Sequence, residues 1–105
     1  MIHYVNAGMY EDAKKRDEEA VFMDRYEDFA RHHKSALDAI YQRTRLDYLC
    51  IDCAETQDGQ LFIFEIDHTM VVHAMDPESL FPYKQTHMLK VKTAFRDFLF
   101  RLTQK

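Results

Sequence analysis

Apolar positions recur along this chain in two periods, and the change from one to the other divides it into elements. Met88, Val91, Phe95, Phe98, Leu99 and Leu102 keep i, i+3, i+4 spacing, which predicts a helix over about residues 85–102 with one apolar stripe. Residues 11–30 carry a second stripe, Phe22, Met23, Tyr26, Phe29 and Ala30, behind a charged first half, and read as an N-terminal helix. A shorter helix follows over about residues 34–44, burying Leu37, Ile40 and Tyr41, with His32-His33 at the junction. Pro77 and Pro82 make the stretch before the last helix a loop or a set of short turns. Residues 2–6 read as a strand closed by Ala7-Gly8, with no neighbouring strand close in sequence to pair with.

Between the second helix and the proline loop the period changes to strand-like runs, about residues 48–56 and 60–66, on either side of Asp58-Gly59. Asp-Gly between two apolar runs is a strong signal for a two-residue hairpin loop. With that loop Gln57 faces Gln60, Asp52 lies directly opposite Glu65, and Asp67 lies opposite Cys50. Side chains alternate along a strand, so Asp52, Glu65 and Asp67 project from one face, which is otherwise lined by Ala54, Ile63 and Leu61. Like charges facing each other on so apolar a face are costly unless a cation lies between them or one is protonated. Three converging oxygen ligands suit Mg²⁺ or Mn²⁺, with phosphate oxygens and water completing an octahedron. The competing reading has the acids ending their strands at a solvated rim, and a bulged turn would shift the register by one residue and separate them.

Composition narrows the setting. The chain has 105 residues with 47% hydrophobic and 30% charged, eight Phe and six Tyr, and only two Gly and two Pro. That is one folded domain with a real core and few loops, and it excludes disorder as the main state. A net charge of −4, from 14 basic and 18 acidic residues, argues against nucleic acid or an anionic membrane as the main partner. There is no transmembrane-length apolar run and no leader-like N-terminus. Two Cys do not make a disulfide scaffold, so the reading is a cytoplasmic protein from a reducing compartment.

The remaining candidates are weaker. Cys50 and Cys53 have redox-like spacing, but on a strand i and i+3 point to opposite faces, which makes them unrelated thiols. His68 and His73 flank Met70-Val71-Val72, close enough to the hairpin to join a metal or touch an anionic substrate; the alternative is a structural or surface histidine. His32-His33 reads as a solvated cap between helices rather than a ligand pair. The charge run over residues 11–19 reads as an exposed helix face, within which Lys14-Lys15-Arg16 offers phosphate contacts. No Gly-rich phosphate loop, Ser/His/Asp set or activated cysteine is present.

The hairpin residues also resemble a known family. Leu46-Asp47-Tyr48-Leu49-Cys50-Ile51-Asp52-Cys53-Ala54, then Asp58-Gly59-Gln60, then Phe62-Ile63-Phe64-Glu65-Ile66-Asp67, resemble the C-terminal part of the ATP-grasp superfamily, which includes glutathione synthetase-like and D-alanine–D-alanine ligase-like enzymes. Residues 2–9, residues 70–77 and Phe81-Pro82-Tyr83-Lys84 look like a branch in which this domain often follows tetratricopeptide repeats. The resemblance implies an enzyme that joins a carboxylate to an amine through an acyl-phosphate, using ATP and Mg²⁺. It implies that Asp52 is the first metal ligand and Glu65 the bridging one, with Asp67 in the position usually held by Asn. Cys50 stands where many of these ligases carry Arg, and His68-Thr69-Met70-Val71-Val72 replaces the usual Gly/Ser/Pro-containing loop.

On this resemblance the chain corresponds to a C-terminal piece that carries the metal-ligand hairpin without the nucleotide clamp, inactive alone and completed by a missing N-terminal half or another chain. The alternative is a degenerate interaction module that self-associates or binds a protein partner; a small metal protein using His68 or His73 ranks third. The expected fold is α+β, a small antiparallel sheet of about three strands covered on one face by two N-terminal helices and the C-terminal helix, and the isolated chain is expected to be a homo-oligomer.

Overall fold

A computed structural model of the chain describes residues 8–68 and 75–104. The strand expected over residues 2–6, and His73 with the Met70-Val71-Val72 segment, lie outside the described residues. The elements are α1 (Ala13–Asp24), α2 (Tyr26–His32), α3 (Lys34–Thr44), β1 (Cys50–Glu55), β2 (Leu61–Asp67) and α4 (Lys84–Thr103). The class is α+β, and among the described residues the sheet is the two-stranded antiparallel pair β1-β2. The elements gather into two compact units, one holding α1, the turns before α4 and α4 itself, the other α2, α3 and the hairpin. The hairpin and the C-terminal helix α4 belong to different units. No described helix is long and apolar enough to cross a membrane.

In the first unit, Gly8 turns the chain at φ 84° and its carbonyl accepts from the amides of Glu11 and Asp12. The Asp12 carboxylate then accepts from the Lys14 and Lys15 amides at 2.9 and 3.4 Å. This is an N-cap, and it starts α1 two residues later than the apolar stripe suggests. α1 packs on α4. Among the described residues the buried apolar side chains are Met9, Met23, Phe81 and Met88. Phe81, fully enclosed, meets Tyr10 edge-on with ring centroids 5.4 Å apart. It is set there by the turn after Pro77, whose carbonyl accepts from the amides of Leu80 and Phe81. Burying one such ring contributes about 1.5–3 kcal/mol.

The single helix expected over residues 11–30 is two helices. Arg25, at φ −96° and ψ 11°, separates them, with neither Gly nor Pro to announce the break. Met23 is buried in the first unit, while Tyr26 and Phe29 belong to the second. One periodic stripe thus serves two clusters, and tertiary packing overrides the local pattern. In the second unit α2 and α3 pack together about His33, and α3 ends at Arg45 in the left-handed region, φ 56°. Among the described residues of this unit no apolar side chain is fully buried; the buried one is His33.

The hairpin departs from expectation at its turn. The Thr56 amide donates to the Gln60 carbonyl at 2.8 Å, and the Gly59 amide to the Thr56 carbonyl at 2.9 Å. Thr56, not Gln57, therefore faces Gln60, and the loop is the three residues Gln57-Asp58-Gly59, with Gly59 at φ 80°. Such loops end in a left-handed residue, where glycine carries no Cβ penalty. A bulge then follows: Cys53 pairs with Ile63 but Asp52 pairs with Glu65, leaving Phe64 as the extra residue of β2.

Candidate metal-binding residues

Past the bulge the ladder pairs Asp52 with Glu65 and Cys50 with Asp67, as the sequence predicts. Nearer the turn it pairs Ala54 with Phe62 and Glu55 with Leu61. Ile63 and Leu61, expected beside the acids, thus lie on the opposite face with Ile51 and Cys53. The residues that share the acid face are Cys50, Ala54 and Phe62. Phe62 and Phe64 contact edge to face at 5.0 Å, and both are more than half exposed. Asp52 and Glu65 are exposed and Asp67 half-buried, with its carboxylate 3.8 Å from His68 Nδ1. The expected desolvation cost on an apolar face is therefore absent. What remains is like-charge repulsion between facing carboxylates, roughly 0.2–1 kcal/mol. As a donor set, three carboxylates on adjacent strands are hard oxygen ligands of the kind Mg²⁺ and Mn²⁺ take.

A second cluster of potential ligands gathers about His32-His33, a pair that the sequence alone presents as a solvated cap between helices. One donor atom from each of His32, His33 and Glu55 lies within 4.8 Å of the others. His33 Nε2 donates to Glu55 Oε2 at 2.6 Å, a short bond of the charge-assisted kind. His32 Nε2 lies 3.2 Å from the Gly59 carbonyl, and the two rings meet edge to face at 4.6 Å. The break between α2 and α3 at His33 (φ −97°, ψ 15°) lets consecutive imidazoles reach the same end of the hairpin. The dipeptide was visible in the sequence. Its carboxylate partner, 22 residues away, carried no local signal.

A third group, in the first unit, is buried and ionic. Glu19, expected on an exposed face, is completely enclosed. Its Oε1 accepts from the Tyr83 hydroxyl at 2.6 Å and from Lys84 Nζ at 3.0 Å, while Oε2 has no hydrogen-bond partner. Lys84 Nζ also reaches Asp76 at 2.7 Å and sits 4.4 Å from the centre of the Phe81 ring. Tyr10 donates to the other oxygen of Asp76 at 3.1 Å. Burial, and then the bond to Glu19, pushes the Tyr83 hydroxyl well above the ordinary tyrosine range. Arg16, offered above for phosphate, donates instead to the Met9 and Tyr10 carbonyls, both at 2.8 Å. A groove of about 350 Å³ runs past Asp76, Lys84, Met88 and Leu89, but the Lys84 ammonium is already bound within the network. The cluster is a structural ion network with no free nucleophile.

The thiols of Cys50 and Cys53 are free and half-buried. Burial, and then the Asp52 charge, pushes the Cys53 thiol up, the opposite of what an activated thiolate needs. None of the family models, curated proteins or solved structures compared with this chain matches it.

Proposed function

We propose that the hairpin is the divalent-cation site of an ATP-grasp-like carboxylate–amine ligase, to which this chain contributes a C-terminal portion. Asp52 and Glu65 would be the principal ligands, with Asp67 beside them. The observation that carries this reading is the register: Asp52 stands across from Glu65, with Asp67 two residues further along the same face. The donor chemistry fits Mg²⁺ or Mn²⁺. When bound, the metal would supply charge neutralisation at the phosphates of ATP.

The chain's own part is to hold two facing carboxylates on a rigid ladder. Residues that clamp the nucleotide would come from an N-terminal half or another chain. Two free thiols and the acidic balance suit a cytoplasmic setting and a partner that is neither nucleic acid nor membrane.

Calorimetric titration of Mg²⁺, and then of Mg²⁺ with ATP, tests the reading, with Asp52→Asn as control. Binding in the native chain that disappears in the variant supports it. Equal heats for the two proteins overturn it. A second reading, an interaction module that self-associates, is favoured by the exposed Phe62–Phe64 pair on the same hairpin.

A further inference from the structure

We propose that His32, His33 and Glu55 form a metal site for Zn²⁺ or another borderline divalent transition ion, chemically distinct from the Asp52, Glu65 and Asp67 set and independent of its role. Two imidazoles and one carboxylate with a water in the fourth position make a known tetrahedral zinc set. Imidazole selects against Mg²⁺ and Ca²⁺ in favour of zinc-like ions.

His33 is the anchor of the site. Its side chain is 4% exposed, and a buried imidazole must be held by partners. It is held by Glu55 through Nε2, and its ring packs on Phe29 with centroids 4.7 Å apart. His32 is exposed but placed: Nε2 at the Gly59 carbonyl and its ring edge against His33 fix it over the end of the hairpin. Glu55, the last residue of β1, closes the set from the strand side with a half-exposed side chain.

Tetrahedral donors at zinc-ligand bond lengths lie about 3.4 Å apart. Donors within 4.8 Å of one another are near that spacing, and His33 Nε2 and Glu55 Oε2, hydrogen-bonded at 2.6 Å, would part to admit the ion. If Nε2 of His33 is the ligand, its proton passes to solvent as the metal binds. The ion would then tie the α2–α3 junction to the hairpin, in a unit with no fully buried apolar side chain among its described residues. The competing reading is a hydrogen-bonded clasp with no affinity for metal.

The test titrates Co²⁺, and then competing Zn²⁺, into the metal-free full chain, following visible absorption and thermal melting. Expected are visible bands of tetrahedral nitrogen–oxygen coordination at a one-to-one stoichiometry and their loss on adding Zn²⁺. Zn²⁺ should also raise the melting temperature. Substitutions His32→Gln and Glu55→Gln, both at exposed side chains and checked for folding by circular dichroism, should each weaken binding by about tenfold or more. Asp52→Asn should leave it unchanged. Absence of a Co²⁺ spectrum overturns the proposal, as does binding indifferent to both His32→Gln and Glu55→Gln. A thiolate-to-cobalt band in the near ultraviolet also overturns it, by assigning the ion to Cys50 or Cys53.

Discussion

Asp52 stands directly opposite Glu65 because two one-residue departures from the simplest hairpin cancel. The three-residue loop moves the ladder by one position, and the bulge at Phe64 moves it back. Either departure alone would have turned Glu65 to the other face relative to Asp52. Gly59, at φ 80°, closes the loop. A Cβ there would meet only His32 Nε2, at 3.6 Å, an ordinary contact. The cost of Gly59→Ala is therefore backbone strain, about 1–2 kcal/mol. Urea unfolding should show a lower midpoint with an unchanged slope.

The facing carboxylates give a prediction whose sign depends on the metal. Without divalent cation, Asp52→Asn removes a like-charge pair and should raise stability by roughly 0.2–1 kcal/mol. With Mg²⁺ in excess the native chain should gain stability by ligand linkage while the variant does not. The order of the two melting temperatures then closes or reverses as Mg²⁺ is added. A constant gap at all Mg²⁺ concentrations would assign Asp52 no metal.

Legibility of the sequence followed the range of the interaction. α3, α4 and both strands are readable from periodicity and from Asp58-Gly59, because those signals are local. The break at Arg25 is not, since the stripe through Met23 and Tyr26 runs on unchanged while its residues join different clusters. A two-residue loop pairs Asp52 with Glu65 without a bulge; the third loop residue breaks that pairing and the bulge at Phe64 restores it. Ile63 and Leu61, between the loop and the bulge, keep the one-residue shift and so lie on the face opposite the acids. Glu19 reads as one of many charges on a helix, and its burial depends on Tyr83 and Lys84, more than 60 residues on. His33 meets its carboxylate only once the chain has folded.

Lys84 and Glu19 form a buried pair whose halves depend on each other. Lys84→Met strands the Glu19 charge, and breaking such a pair typically costs about 3–5 kcal/mol. The double variant Glu19→Gln/Lys84→Met removes both charges and should recover much of that loss. Chemical denaturation of the two single variants and the double variant measures the coupling. Additive losses would mean that the two groups act independently.

Tyr83 links the same network to pH. Its hydroxyl is raised above the ordinary value near 10, so the folded chain keeps a proton that the unfolded chain has released. That contribution is fully present below about pH 10 and declines as pH rises from there through the folded value, because the unfolded state then binds fewer protons. Denaturation midpoints should fall above pH 10 more steeply in the native chain than in Tyr83→Phe. Parallel profiles would place the sensitivity elsewhere.

Arg45 ends α3 with φ 56° and ψ 26°, its amide donating to the Tyr41 carbonyl at 2.8 Å. This left-handed cap position is one that glycine takes without a Cβ penalty. The Arg45 side chain is exposed, so little packing is lost when it is removed. Arg45→Gly relieves strain of roughly 1–2 kcal/mol and gives back part of it by loosening the unfolded chain. A net gain of up to about 1 kcal/mol should appear as a higher melting temperature, with circular dichroism unchanged at 25 °C.

The Phe62–Phe64 pair separates the two functional readings. Both rings are largely exposed and meet each other at 5.0 Å on the hairpin that carries Asp52 and Glu65. Exposed aromatic residues on a sheet that is two-stranded among the described residues invite association between copies. If the hairpin is an interaction surface, Phe62→Ser/Phe64→Ser should shift sedimentation velocity toward monomer without lowering stability, since neither ring is buried in the isolated chain. The charge-neutral Asp52→Asn should leave association in place or strengthen it, because repulsion between facing surfaces falls. If the hairpin is a metal site that a separate nucleotide-binding half completes, the serine variant should keep its Mg²⁺ response. Asp52→Asn should lose that response whatever the oligomeric state. Association lost in the serine variant together with no Mg²⁺ response in either protein would favour the interaction module and end the case for a ligase site.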